Sequence, residues 1–256
     1  MSKGPLLFLG IFLTFASAWI GLALVPSHQL KDVGADASGA ALADPRPYTD
    51  IELAGRQIYI ADGCHYCHTQ QIRGGQYNND VLRGWGRRSV PQDYIHDYPV
   101  VLGTMRTGPD LVNIGARQTS ANWHYQHLYD PQLISPGSNM PPQPYLFDKR
   151  PINGSPSPDA VPFDYVYVKL KHDTDAARQA LAGAGFRLIE KRRGRLLGSF
   201  PVARIDELQR LPAVESAQPY IEPGHQIVPT DKARALVAYL LGLKRDYPVQ
   251  QGGQAQ

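Results

Sequence analysis

Hydrophobic and polar positions divide this chain into regions of sharply different texture. Gly4 to Val25 is apolar and carries no charge; as a helix rising about 1.5 Å per residue it would span about 33 Å, enough to cross a bilayer. Residues 27–47 are small, polar and proline-punctuated, the texture of a tether. Ile51, Ala54, Ile58 and Ala61 then recur at helical spacing and predict a helix over Thr49–Ala61, capped by Thr49 or Asp50. From Thr69 to Phe147 no period is sustained. Within this Gly-, Pro-, Tyr- and Trp-rich stretch one helix is predicted over Ser120–Tyr129, capped by Ser120 or Thr119 and closed before Asp130-Pro131. Near the end, Ala233, Leu236, Val237, Leu240 and Leu241 form an apolar stripe on a helix that starts at Thr230 or Asp231 and runs through Lys244.

A segment of different character lies at 162–222. Phe163–Leu170 alternates as a strand should, and Asp173–Gly183 is Ala-rich and helical. Phe186–Arg192 and Arg195–Phe200 read as strands joined through Arg193-Gly194. Val202–Leu211 reads as a second helix and Val214–Ile221 as a closing strand. The order β-α-β-β-α-β is that of an α+β ferredoxin-like module. Pro201-Val-Ala-Arg followed by Leu211-Pro-Ala-Val-Glu-Ser resembles peptidase-inhibitor-type propeptide modules of that fold, which supports the fold and not inhibition.

Composition changes this picture little. The chain has 43% hydrophobic and 19% charged residues, as folded proteins do. A net charge of +3 without a basic tract gives no support for nucleic-acid binding. Twenty-two prolines and 24 glycines suit a loop-rich architecture.

The chemistry sits in Cys64-His65-Tyr66-Cys67-His68, which holds both cysteines of the chain. C-x-x-C-H is the attachment pattern for a covalent haem c. Two thiols within about one helical turn can reach the two vinyl groups of one porphyrin, and His68 is then placed to ligate iron. A disulfide would leave His68 without a role, and a zinc site needs a second ligand pair. A thioredoxin-like reading wants a βαβ setting that these flanks do not suggest. Haem c attachment takes place outside the cytoplasm, which agrees with an exported head. For the N-terminus, a retained anchor with Lys3 before it and Trp19 towards its far end competes with a signal peptide cleaved after Ala16-Ser17-Ala18. The apolar run continuing through Val25 favours the anchor.

An electron-transferring haem needs a sixth iron ligand. Met105 and Met140 are the available methionines. Met140, in Ser138-Asn139-Met140-Pro141-Pro142, lies downstream of the motif in a proline-stiffened loop, where class I cytochromes c carry this ligand; a packed side chain is the competing reading. Met105 is expected to be packed. Pro109, in Arg106-Thr107-Gly108-Pro109-Asp110-Leu111, could accept the second ring N–H of His68 through its carbonyl. Arg106 and Arg117 could pair with haem propionates, against the alternative of a simple turn with solvated arginines. His65 is expected at the surface, His124 and His127 in a surface or interface role, and His96 is uncommitted.

Taken together, Gly55 to Arg73 around the haem motif, Arg106-Thr-Gly-Pro-Asp-Leu111, Trp123-His124, Ser138-Asn-Met-Pro141 and the single anchor resemble the monohaem subunit II of cbb3-type cytochrome c oxidases, over about residues 1–147 and 227–244. The resemblance implies a periplasmic cytochrome c head on a single-pass anchor in the bacterial inner membrane. It implies one covalent haem c with His68 and Met140 as iron ligands and Pro109 behind His68. It also implies electron transfer to a haem–copper catalytic subunit that reduces oxygen, with another cytochrome c subunit or donor cytochrome as source. The segment 162–222 departs from that pattern as an insertion. The absence of a C-x-x-x-C pair excludes the copper-A type of subunit II.

The expected organisation is an anchor at 1–26, a linker at 27–47, a mostly-α class I cytochrome c-like domain at 48–147 and 227–246, the inserted ferredoxin-like module at 162–222 and a flexible tail at 247–256. As an isolated chain this would be an electron carrier, enzymatic only as part of the oxidase. Two alternatives compete: the cytochrome c subunit of a nitric oxide reductase, and a haem-bearing sensor or binding module. No nucleophile–base pair or carboxylate dyad supports a hydrolase.

Overall fold

The computed structural model describes residues 3–31, 33, 44–76 and 79–248. Residues 32 and 34–43 of the expected linker, and 249–256 of the expected tail, lie outside the described residues.

The chain divides into two compact units. The first comprises 1–47, 72–101 and 245–256. Its apolar helix runs without a break from Gly4 to Gln29 as α1 (Gly4–Trp19), a wide π-type turn at Ile20–Leu24, and α2 (Val25–Gln29). It ends three residues beyond the expected anchor. Pro26 has no N–H to give to the carbonyl four residues back, and the widened turn just before it accommodates that loss without ending the helix. With a mean hydropathy of 2.2, the helix is long and apolar enough to cross a membrane. Residues 72–101 are held mainly by polar contacts. Arg87 pairs with the buried Asp93, which also accepts from Tyr247 Oη at 2.6 Å, and His96 Nε2 meets the Pro45 carbonyl at 2.9 Å.

The second unit comprises 48–71 and 102–244. It opens with α3 (Asp50–Ala61), where Thr49 and Glu52 form a reciprocal capping box. Its buried face is Glu52, Gly55, Arg56 and Tyr59, not the expected Ile51, Ala54, Ile58 and Ala61; Ile51 is 51% exposed. The reason is Gly55. A Cβ there would overlap the Ala235 carbonyl, so only glycine lets α3 cross the last helix, α9 (Asp231–Gly242), at this distance. Thr230 caps α9, accepting from Ala233 N, and α9 buries Ala233, Ala235, Leu236, Val237, Tyr239 and Leu240.

Between them lie α4 (Ile114–Arg117), α5 (Ala121–Tyr129) and α6 (Pro131–Ile134). Ser120 caps α5, and Asp130 closes α5 while capping α6. Two strands escaped sequence reading: β1 (Phe147–Pro151) pairs antiparallel with β6 (His225–Pro229), in register Phe147 to Pro229.

This ladder brackets β2 (Tyr165–Leu170), α7 (Asp175–Gly183), β3 (Arg187–Arg192), β4 (Arg195–Ser199), α8 (Ile205–Gln209) and β5 (Val214–Pro219). The four strands form one antiparallel sheet in the order β3-β4-β2-β5. Arg193 and Gly194 turn β3 into β4 with φ of 49° and 78°, the left-handed pair that a tight two-residue hairpin requires. Val166, Val168, Leu181, Phe186, Leu196, Phe200 and Leu208 fill the core between sheet and helices.

Candidate functional site

The site is built where α3 ends. Gly63, with φ +71°, reverses the chain after Asp62, and Cys64–Tyr66 forms a single 3-10 turn. The amides of Cys67 and His68 both return to the Cys64 carbonyl, at 3.2 and 3.0 Å. The segment 104–111 is laced alongside: Gly108 N donates to Cys67 O at 2.9 Å and Leu111 N to Thr69 O at 2.8 Å. This brings the Pro109 carbonyl to 2.7 Å from His68 Nδ1. Gly108 lies against the same ring, where a Cβ would overlap the imidazole.

Asp110, completely buried, ties the two segments together. It accepts from Thr69 Oγ1 at 2.6 Å, Gln71 N at 2.7 Å and Val112 N at 2.9 Å. Arg106 joins the same knot, donating to Thr69 Oγ1 and to the Gln71 carbonyl, with its guanidinium 3.6 Å from Asp110.

Cys64, Cys67, His68, Pro109, Arg117 and Met140 line one cavity of about 540 Å³, closed by Leu111, Ile114, Leu128, Leu236 and Leu240. Of the seven residues expected from sequence to hold the haem, six are on this wall and Arg106 is not. Arg117 donates to the Asp110 carbonyl. Met140 is half-buried, its amide bonded to Ser138 Oγ at 3.2 Å. Burial, reinforced by Asp62, pushes the Cys64 thiol up to about 11. It also lowers the His68 imidazole, against the opposing pull of the Pro109 carbonyl.

Three expectations are corrected here. His124 and His127 are on the cavity wall rather than in the expected surface or interface role, because α5 turns its Trp123 side inward. His124 Nε2 meets the Gln118 carbonyl at 2.9 Å. His127 stacks on Trp123 at 4.7 Å, its Nδ1 is buried without a hydrogen-bond partner, and burial lowers it to about 4. His65 is half-buried between Tyr59 and Tyr66, its Nδ1 shielded from solvent, rather than at the surface. Met105 is 56% exposed rather than packed, since the segment that carries it bonds through its backbone to His65 and Cys67 and leaves this side chain outside.

Soft thiol and thioether donors on one apolar cavity with an imidazole suit a redox metal centre, and among the described residues one helix is long and apolar enough to cross a membrane. The class so defined is the membrane-anchored electron-transfer subunit. The family model of the cytochrome c oxidase mono-heme subunit, FixO, matches residues 5–191, and the chain belongs to that family. It is thus the single-haem, electron-transfer subunit of a cbb3-type cytochrome c oxidase, associated with the membrane and with other oxidase subunits; the nitric oxide reductase alternative is not favoured. The match runs past the Met140 loop and ends inside β3, so it overlaps the stretch expected to be an insertion. No curated protein matches the chain.

The residues present fit a single haem. The cavity falls within the range of about 300–1,000 Å³ usual for such sites. Its donors are those iron and porphyrin vinyls require. His127 Nδ1, buried without a partner, also leaves a polar group for the cofactor to satisfy.

Proposed function

We propose that this chain carries one haem c, joined covalently through Cys64 and Cys67, and relays single electrons to the haem–copper catalytic subunit. When bound, the haem supplies an iron that accepts and returns one electron at a time. The observation that carries this reading is the convergence of Cys64, Cys67, His68 and Met140 on one cavity, with His68 Nδ1 already engaged by the Pro109 carbonyl. That contact leaves Nε2 for the metal and fixes the ring plane. Met140 is assigned as the second ligand. Arg117, on the wall, is assigned to a propionate, and Arg106 to bracing Asp110 behind His68.

The apolar helix is assigned as a retained single-pass anchor in the bacterial inner membrane, with the head on the periplasmic side, since haem c is attached outside the cytoplasm. Another cytochrome c subunit or a donor cytochrome supplies the electrons. We assign residues 162–222 as an inserted ferredoxin-like module; its β-α-β-β-α-β order and single antiparallel sheet support this. The remaining boundaries, 48–147 with 227–246 as a class I cytochrome c-like domain, are proposed on the same footing.

The test is purification of the native complex from membranes. Haem should stay with this chain on a denaturing gel, and Cys64→Ala or Cys67→Ala should abolish or sharply weaken that staining. Haem that extracts freely into acidified acetone overturns covalent attachment. Oxidised protein should show a long-wavelength Met–iron charge-transfer band, absent in Met140→Ala.

A further inference from the structure

The segment that carries the four-stranded sheet meets α5 and α6 through aromatic contacts, Tyr129 against Tyr220 and Phe163, and through polar, directional ones. Arg192, the last residue of β3, donates to Asp130 through both terminal nitrogens, at 2.7 and 3.2 Å. Tyr220 Oη donates to the same carboxylate at 2.8 Å. Asp130 is only 3% exposed, so its charge depends on these partners. The carboxylate also caps α6, accepting from Gln132 N at 3.3 Å.

The contact continues beyond Asp130. Arg192 Nη2 donates to Gln132 Oε1 at 3.1 Å. The amide nitrogen of Gln132 donates to the Ser138 carbonyl at 3.3 Å, and Ser138 Oγ accepts from Met140 N at 3.2 Å. One guanidinium therefore holds the start of α6 and, through one glutamine, the loop that presents Met140 to the cavity. Gly137, with φ +78°, has nothing within 4 Å of where a Cβ would stand, so this point of the loop is open.

We propose that Arg192 is a positioning residue: the sheet that carries it braces the Met140 loop through Asp130 and Gln132 and so holds the thioether in the cavity. The inserted segment thereby acts on the redox centre of its own chain. The inference rests on the reading of Met140 as iron ligand.

The experiment uses the intact oxidase complex and titrates oxidised haem c with imidazole, an external ligand that competes with Met140. The Met–iron charge-transfer band is followed in wild type, Arg192→Met, Gln132→Ala and, as a control, Arg204→Ala, which removes an exposed arginine paired with Glu207. Arg192→Met should bind imidazole about tenfold more tightly than wild type, the scale of one lost hydrogen-bond connection. Gln132→Ala, which leaves the Arg192–Asp130 pair in place, should shift in the same direction, and Arg204→Ala should match wild type. The proposal is overturned if Gln132→Ala, or Arg192→Met where it assembles, titrates as wild type does. It is equally overturned if Arg204→Ala shifts as much. A wild-type complex without the band, or one whose band survives Met140→Ala, removes the ligand reading itself, a different result from an unshifted titration.

Discussion

Nδ1 of His68 lies 2.7 Å from the carbonyl oxygen of Pro109, and Gly108, one residue earlier, lies against the same ring. The two contacts constrain the imidazole in complementary ways. The carbonyl fixes which nitrogen carries the proton, and the bare glycine allows the ring to sit that close. Gly108→Ala places a methyl where His68 Cε1, Nδ1 and Nε2 now are. Backbone must give way, at a cost of about 1–3 kcal/mol. The expected outcome is a tilted or displaced imidazole, seen as a changed haem potential and a lowered midpoint in urea. An unchanged potential would show that the ring has other room.

Asp110 has no exposed surface and accepts three hydrogen bonds, two of them from the segment that follows His68. Asp110→Asn keeps the shape but removes the charge facing Arg106 and turns an amide NH₂ towards donors. Loss of a buried charge-assisted network costs about 3 kcal/mol. Destabilisation of that size, with reduced haem incorporation, is expected on heating and in urea. Arg106→Lys should cost less, because a single ammonium can still reach the carboxylate.

Motifs with fixed local geometry were legible in the sequence, and relations across the chain were not. C-x-x-C-H, the Ser120 and Thr230 caps, the Arg193-Gly194 hairpin and the β-α-β-β-α-β order rest on short-range rules of dihedral preference and period. The buried face of α3 was misread because its closest contact runs through Gly55, which carries no hydrophobic signal, beside Glu52 and Arg56. His124 and His127 were misplaced because α5 packs Trp, His, Tyr and Leu on every side, and only tertiary contact selects the inward one. The β1–β6 ladder was missed because Phe147-Asp-Lys-Arg-Pro151 buries only its first residue and pairs with a strand remote in sequence.

The crossing of α3 and α9 yields a third prediction. At Gly55 a Cβ would meet Ala235 O and C and lie 2.8 Å from Tyr239 Cβ. Tyr239 in turn bonds Gln70, two residues beyond His68. Gly55→Ala should force the helices apart and cost about 1–3 kcal/mol by chemical denaturation. Ile51→Ala, on the exposed side of the same helix, should stay within about 0.5 kcal/mol. Equal losses at the two positions would contradict the observed face of α3.

Acid should weaken this protein through His124 and His127. Burial lowers both imidazoles below their ordinary value of 6.5, His127 to about 4, so the folded state keeps them neutral while the unfolded chain takes up protons. Stability is therefore complete above about pH 6.5 and falls as pH drops from there to about 4, where the folded His127 titrates as well. Each histidine steepens the decline by at most about 1.4 kcal/mol per pH unit. Urea unfolding of the haem-loaded protein at intervals from pH 7.5 to 4.5 measures that slope. His127→Gln removes one titrating group and keeps an amide on the cavity wall, so its slope should be shallower than wild type across this window. A slope identical to wild type would mean that His127 does not titrate differently in the folded and unfolded states.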